Sequence, residues 1–367
     1  MKKIGIIVEY NPLHNGHVYH FNKIKEQANA DLVIAVCSSS FTMRGDLSMF
    51  DKFTKTKEAL RLGIDLVIEL PAVCAVQNAD IFAYNAVKTL NNAKVDEIWI
   101  GSELNDFTIY KSYYEIENNT NFSTTIKDNL KQGLSYKASY NEALKLYNLP
   151  PLNANDTLGL CYYKAIKKLN SNILLKTIKR IGDAEDSNTN KTNMPSASYI
   201  RENFDKSFVP DYVYNDYQEY HFDINKLYPY FNYELRITKN TFFFDEEGLK
   251  NYLLKFVNEP DSHSFINKSH NKRYSKSRIK RFFFYTLFQI TKEDIKDLNY
   301  DFLRILGFNE AGKKYLNAIK KETKIYTNIK EGLNPILDIE LKITKLIDYI
   351  YKTNLLAKEQ QIIKGNQ

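Results

Sequence analysis

The chain has 367 residues, 43% of them hydrophobic and 26% charged, with a formal net charge of +7. These values exclude global disorder and a histone-like polycation, and they permit a polyanionic partner without demanding one. At about 150 residues per domain, the length predicts two domains.

The first hundred residues alternate short apolar runs with helical patterns. Strands are predicted over 3–8, 31–36, 66–69 and 97–100, and helices over 17–28, 51–62 and 80–90. Strands spaced at βαβ intervals and apolar on both faces predict a parallel sheet covered by helices on both sides. Residues 106–169 read as mainly helical, and 172–176 as a further strand. The polar stretch 183–195 reads as a loop, followed by a helix start at SASYIREN. The sheet domain is therefore expected to span 1–205. Helices over 249–256, 277–288, 300–306 and 336–351 predict a mainly α-helical C-terminal domain, 206–367, whose polar tail from Lys358 frays.

The cysteines Cys37, Cys74 and Cys161 are scattered and odd in number, which excludes a disulfide framework. No CxxC pair suggests zinc. The N-terminal apolar run is cut by Glu9, too short for a signal peptide, and no run approaches the length of a membrane span. A reduced, cytoplasmic protein with no membrane partner is expected.

The string GIIVEYNPLHNGHVYH places a strand, a tight turn and a helix in succession. Ligands of open parallel sheets sit at the carboxyl ends of strands, and a helix N-terminus there favours phosphate. His14 and His17 flank Gly16, which lets the backbone approach closely. Both imidazoles are candidates to donate hydrogen bonds to an α-phosphate during in-line displacement. A metal site built from His14, His17 and His20, or a chance surface cluster, are the competing readings. No metal site is expected, because no Cys or carboxylate partner lies nearby in sequence.

His14-Asn15-Gly16-His17 resembles the HxGH signature of the HIGH-type nucleotidyltransferase superfamily. The longer string, with SSSFTMRGDLSMFDKFTKTKEALRLGID, DLVIELP, Gly101-Ser102-Glu103, NDTLG, TIKRIG, SASYIR and LGFNEAG, resembles the tRNA(Met) cytidine acetate ligase family. The resemblance implies an α/β, Rossmann-like catalytic domain that binds ATP, with Mg²⁺ travelling on the ATP phosphates. It implies activation of acetate as acetyl-adenylate and acetylation of N4 of the wobble cytidine, C34, of elongator tRNA(Met). Acetyl-CoA is not implied, and oligomeric state is not legible.

By the same resemblance, ATP binding carries over to Ile7, Val8, Glu9, Tyr10, Asn11, Pro12, Leu13, His14, Asn15, Gly16, His17, Val18, Tyr19 and His20. It carries over also to Gly101, Asn155, Arg180, Ser198 and Arg201, with His14 and His17 catalytic. Each has a plainer alternative. Gly101 could be a turn glycine, Asn155 and Ser198 helix caps, and Arg180 the partner of a surface carboxylate. Lys52, Lys55 and Lys57 are expected to face solvent. Two departures stand out: Met43 replaces a glutamine of the family, and Asp183-Ala184-Glu185-Asp186 replaces a Gly-Tyr-His-Asp-like segment.

Between Asp261 and Glu293 the chain has no acidic residue. Lys272, Arg273, Lys276, Arg278, Lys280 and Arg281 are the candidate tRNA-binding residues, with a solvated helix face as the plainer reading. Phe282, Phe283 and Phe284 are expected in the core. Two other functions stay open on the residues alone: a small-molecule adenylyl- or cytidylyltransferase, and a non-catalytic RNA-binding protein.

Overall fold

The computed structural model describes residues 1–182, 194–239, 242–245, 248–296 and 300–365. Eight strands form one sheet: β1 (Lys3–Val8), β2 (Leu32–Ser38), β3 (Leu66–Leu70), β4 (Glu97–Ser102), β5 (Leu174–Lys179), β6 (Leu303–Phe308), β7 (Ile325–Tyr326) and β8 (Ile363–Lys364). Their order is β5-β4-β1-β2-β3-β6-β7, with β8 also paired to β6. Pairing is parallel except between β3 and β6. Every residue of β2 and β3 is buried, as a sheet covered on both faces requires.

The helices that matter for the site are α1 (Asn15–Gln27), α2 (Lys52–Leu62), α3 (Ala79–Asn92), α4 (Ala154–Lys168), α5 (Ala197–Glu202), α6 (Tyr228–Ile237), α7 (Lys276–Leu287) and α8 (Pro335–Tyr351). Three shorter helices, Ile109–Glu117, Thr120–Lys131 and Tyr136–Lys145, fill the stretch expected to be helical between β4 and α4. The α7 phenylalanines Phe282, Phe283 and Phe284 are buried, as expected. Phe283 stacks on Phe231 of α6 at 4.1 Å, and Phe284 meets Phe41 edge-on at 4.9 Å.

Two expectations are corrected. Residues 300–306 are not a helix: Leu303–Phe308 is a strand, antiparallel to β3. The sheet therefore includes residues beyond 205. A buried charge network carries this closure. Arg304 on β6, wholly buried, reaches Glu69 of β3 at 3.7 Å and Glu359 at 3.2 Å. Lys52 of α2 contacts Glu69 at 2.6 Å, Glu359 at 2.7 Å and Glu340 of α8 at 3.4 Å. The second correction follows: residues 358–365 of the tail do not fray, because Glu359 is buried in this network and β8 pairs with β6. The segment Asp183-Ala184-Glu185-Asp186, with most of the expected loop, lies outside the described residues.

Candidate active site

β1 delivers the chain to the carboxyl edge of the sheet, and α1 starts seven residues later. His14 is extended and acts as N-cap of α1. Its Nδ1 accepts from the Gly16 N–H at 3.0 Å, while the His14 N–H donates to Nδ1 of His17 at 3.2 Å. The two imidazoles thus form a reciprocal capping box, with histidine in the place usually taken by Ser or Thr and Glu. The rings lie 3.9 Å apart. A Cβ on residue 16 would sit 2.8 Å from His14 Cε1, so glycine there makes room for the capping ring.

Because Nδ1 accepts in both rings, each neutral imidazole carries its proton on Nε2. Burial and the guanidinium groups of Arg180 and Arg201 hold His14 down to about 3. Burial and neighbouring His14, His20 and Arg180 hold His17 well below the usual imidazole range. His20, partly buried and near Arg180, is lowered to about 4. Near neutral pH the pair is therefore uncharged and presents two N–H donors. The tyrosine before this turn, Tyr10, sits at φ +44°, and its ring meets His17 edge-on at 5.0 Å. A bulky residue in this region is uncommon and is held by full burial.

These groups line a cavity of about 760 Å³. From the first motif it takes Ile7, Val8, Glu9, Tyr10, Asn11, His14, Gly16, His17, Tyr19 and His20. Pro12, Leu13, Asn15 and Val18 do not line it: Leu13 is core, and the Asn15 side chain donates to the Ser207 carbonyl at 2.8 Å. Gly101, Asn155, Arg180, Ser198 and Arg201 all join the lining.

Asn155 is not the cap of α4, which is Asn153; its amide instead donates to Glu103 at 2.6 Å. Glu103 also receives Arg180 Nε at 3.4 Å. A Cβ on Gly101 would lie 3.1 Å from Arg180 Cγ, so that glycine seats the arginine stem. Ser196, not Ser198, caps α5 by accepting from the Tyr199 N–H. Ser198 accepts from Arg201 Nη2 at 3.2 Å, and Arg201 Nη1 donates to the Asn11 carbonyl at 2.8 Å. That bond ties α5 to the first motif.

The lysines expected in solvent divide. Lys55 is wholly buried and its ammonium donates to the carbonyls of Glu9, Ser38 and Ser39, pinning the ends of β1 and β2. Lys52 is buried in the charge network, and Lys57 pairs with Asp216 at the surface. The oxygens that hold Lys55 converge only in three dimensions, so no local pattern announces its burial.

The turn 42–46 forms another wall, through Thr42, Met43, Arg44 and Asp46. Tyr136, Tyr140 and Lys164 also line the cavity and carried no sequence signal. The basic run splits in two. Lys272, Arg273 and Lys276 are exposed and Arg278 is half-buried. Lys280 turns to Asp46, and Arg281 packs over Phe244 at 5.3 Å. Among the described residues, no three His, Cys, Asp or Glu side chains converge as a metal site, and no helix is long and apolar enough to cross a membrane.

The family model described as HIGH Nucleotidyl Transferase matches residues 1–362. A tRNA(Met) cytidine acetate ligase of Caldicellulosiruptor saccharolyticus is 33% identical over 96% of this chain and 95% of its own. One from Clostridium perfringens is 35% identical over 95% and 96%. The crystal structure of Thermotoga maritima TmcAL bound with alpha-thio ATP matches with a TM-score of 0.82 and 26% identity, covering 97% of this chain and 96% of that one. Its apo form matches with a TM-score of 0.83. Likeness of sequence and fold on this scale, with the HxGH turn where the sheet opens, makes this chain a member of the HIGH nucleotidyl transferase family and, within it, of the tRNA(Met) cytidine acetate ligases.

Proposed function

We propose that this chain is an ATP-dependent ligase that acetylates N4 of the wobble cytidine, C34, of elongator tRNA(Met). The observation that carries the reading is the locked pair His14 and His17. Their Nδ1 atoms are occupied by backbone N–H groups, which leaves two neutral Nε2–H donors for a ligand in the cavity. Such donors, fixed before the reaction, suit the charge that builds on an α-phosphate.

In the first step a carboxylate oxygen of acetate attacks the α-phosphorus of ATP. Pyrophosphate leaves and acetyl-adenylate remains. Arg180 and Arg201 bring positive charge to the same cavity, and the N-terminus of α1 adds its dipole. Mg²⁺ enters on the ATP phosphates, since such ions usually keep their waters and need no dedicated protein cage. In the second step the cytosine amine attacks the acetyl carbon and AMP leaves. Adenylation supplies the good leaving group that acetate lacks.

Residues 1–205 carry the nucleotide site in this reading, and 206–367 carry the RNA surface. Lys272, Arg273 and Lys276 with Arg278 are its phosphate contacts, while Lys280 and Arg281 act inward. The reaction takes place in the cytoplasm, where its tRNA is. Incubation with ATP, acetate and total tRNA, followed by nucleoside mass spectrometry, tests the reading. N4-acetylcytidine dependent on both ATP and acetate is expected; its absence overturns the reading.

A further inference from the structure

Glu9 is one of four carboxylates that line the cavity, with Asp46, Asp80 and Glu117; Asp46 pairs with Lys280 and Glu117 with Lys164. Glu9 lines that cavity one residue beyond β1. A triphosphate would repel it, so its presence calls for a role outside phosphate binding. One oxygen, Oε1, accepts from the Met43 N–H at 2.6 Å. No lysine or arginine ion pair to its carboxylate is found among the described residues; Lys55 reaches only its backbone carbonyl.

Its position points to the RNA. Met43 belongs to the turn 42–46, and that turn is seated on α7, the helix that begins in the basic run. The Lys280 ammonium pairs with Asp46. Gly45, at φ +85°, lies so close to α7 that a Cβ there would be 2.6 Å from the Lys280 carbonyl carbon and 2.7 Å from the Arg281 nitrogen. The carboxylate is thus held by a cavity wall that abuts the proposed RNA-binding helix.

We infer that Glu9 is the proton acceptor of the acetyl-transfer step, a role that rests on the ligase reading above. The cytosine N4 attacks the acetyl carbon, forming the N–C bond. The C–O bond to AMP breaks, AMP leaves as an anion, and the amine proton passes to the Glu9 carboxylate. Burial raises the Glu9 carboxyl from its ordinary range, and Asp46 adds to the rise; the Met43 N–H, Lys55 and Arg201 oppose it. Cys37 of β2 and Tyr162 of α4 also face it. A raised carboxylate is a better base near neutral pH than an ordinary one.

The test compares the wild-type protein with Glu9→Gln, whose amide oxygen keeps the Met43 bond but cannot take the proton. Glu9 lines the nucleotide cavity, so acetate-dependent exchange of pyrophosphate into ATP is measured beside transfer. Single-turnover acetyl transfer to elongator tRNA(Met) should fall about a hundredfold or more further than exchange does. Wild-type transfer should also lose rate as pH falls through the Glu9 titration, a limb that Glu9→Gln lacks; His14 and His17 are already neutral there. Transfer at the wild-type rate by Glu9→Gln would overturn the proposal, as would equal loss of exchange and transfer. Should the variant not fold, the wild-type profile still decides, since transfer independent of pH on the acid side excludes a carboxylate base. Failure of the ligase reading looks different: the wild-type protein itself would show no acetate-dependent exchange.

Discussion

Two atoms and one absence set the geometry of the HxGH turn: Nδ1 of His14, Nδ1 of His17 and the missing Cβ of Gly16. Each imidazole accepts one backbone N–H, which fixes its tautomer and its ring plane together. Gly16→Ala would force its methyl to 2.8 Å from His14 Cε1 and displace that ring. Pyrophosphate exchange should fall about tenfold to a hundredfold while tRNA affinity is kept, as measured by filter binding. His17→Ala removes one donor outright, at about 3 kcal/mol, or about a hundredfold in kcat for exchange; an increase in KM with kcat preserved would instead assign His17 to ATP positioning. The same burial has a cost in acid. His14 titrates at about 3 and His20 at about 4 in the folded chain, against about 6.5 when unfolded. Between these values the unfolded chain binds more protons, so stability falls as pH drops from about 6.5 toward 3. Urea midpoints at pH 7 and pH 5 check the sign: the lower pH should give the lower midpoint. His14, Gly16 and His17 are legible in sequence because turn, cap and donor lie within four residues. The tautomer is not, since it depends on which backbone N–H each ring meets. The capping alternative for Ser198 fails for a related reason: Ser196 and Ser198 both suit that role, and only the entry angle of α5 chooses between them.

At the scale of elements, the turn 42–46 is the joint between the sheet and the helices that follow residue 205. Phe41 packs against Phe284 and Phe288, Asp46 pairs with Lys280, and Gly45 touches the α7 backbone. Gly45→Ala combines an unfavourable positive φ with a backbone clash. It should cost about 1–3 kcal/mol of unfolding free energy, and it should lower acetyl transfer more than pyrophosphate exchange because it moves the wall that holds Glu9. Equal loss of both activities would show that the turn supports the fold without serving the transfer step. The strands of the first hundred residues are readable because short apolar runs recur at βαβ spacing. β6 is not. The run DFLRILGF has strand length but carries Arg304 at its centre, and a charge there suggests the polar face of a helix. Arg304 is tolerated in a buried strand only because Glu69 and Glu359 arrive from β3 and from the C-terminal segment. Both partners lie far along the chain, beyond any local pattern.

Across the whole molecule, two distributions of charge have opposite jobs. The outer one, Lys272, Arg273 and Lys276, is exposed. Reversing these residues to Glu should weaken tRNA binding and reduce the slope of log affinity against log salt by about one for each phosphate that the protein no longer neutralises. Exchange of pyrophosphate should persist, because none of the three lines the cavity. The inner one joins β3, α2, β6, α8 and the C-terminal segment. Its carboxylates are Glu69, Glu340 and Glu359, and its cations Lys52 and Arg304, all essentially without solvent exposure. Burial and the Glu69 charge raise the Glu340 carboxyl from its ordinary range, while Lys52 and the Ala72 N–H oppose the rise. Lys52 and Arg304 hold these carboxylates together out of water, which is what makes removal of one member costly. Arg304→Met leaves Glu69 and Glu359 with Lys52 alone, and breaking a buried pair in this way costs about 3–5 kcal/mol. Adding Glu359→Gln removes one of the stranded charges, so the double variant should be more stable than the sum of the two single losses, with a coupling of about 0.5–3 kcal/mol. Trp99, the single tryptophan, lies in β4 on the far side of the sheet and reports the same unfolding as circular dichroism if the closure is cooperative. Strict additivity of the two substitutions, or a Trp99 transition that leaves Arg304→Met unchanged, would show that residues 303–308 and 359 are attached to the sheet without helping to hold it together.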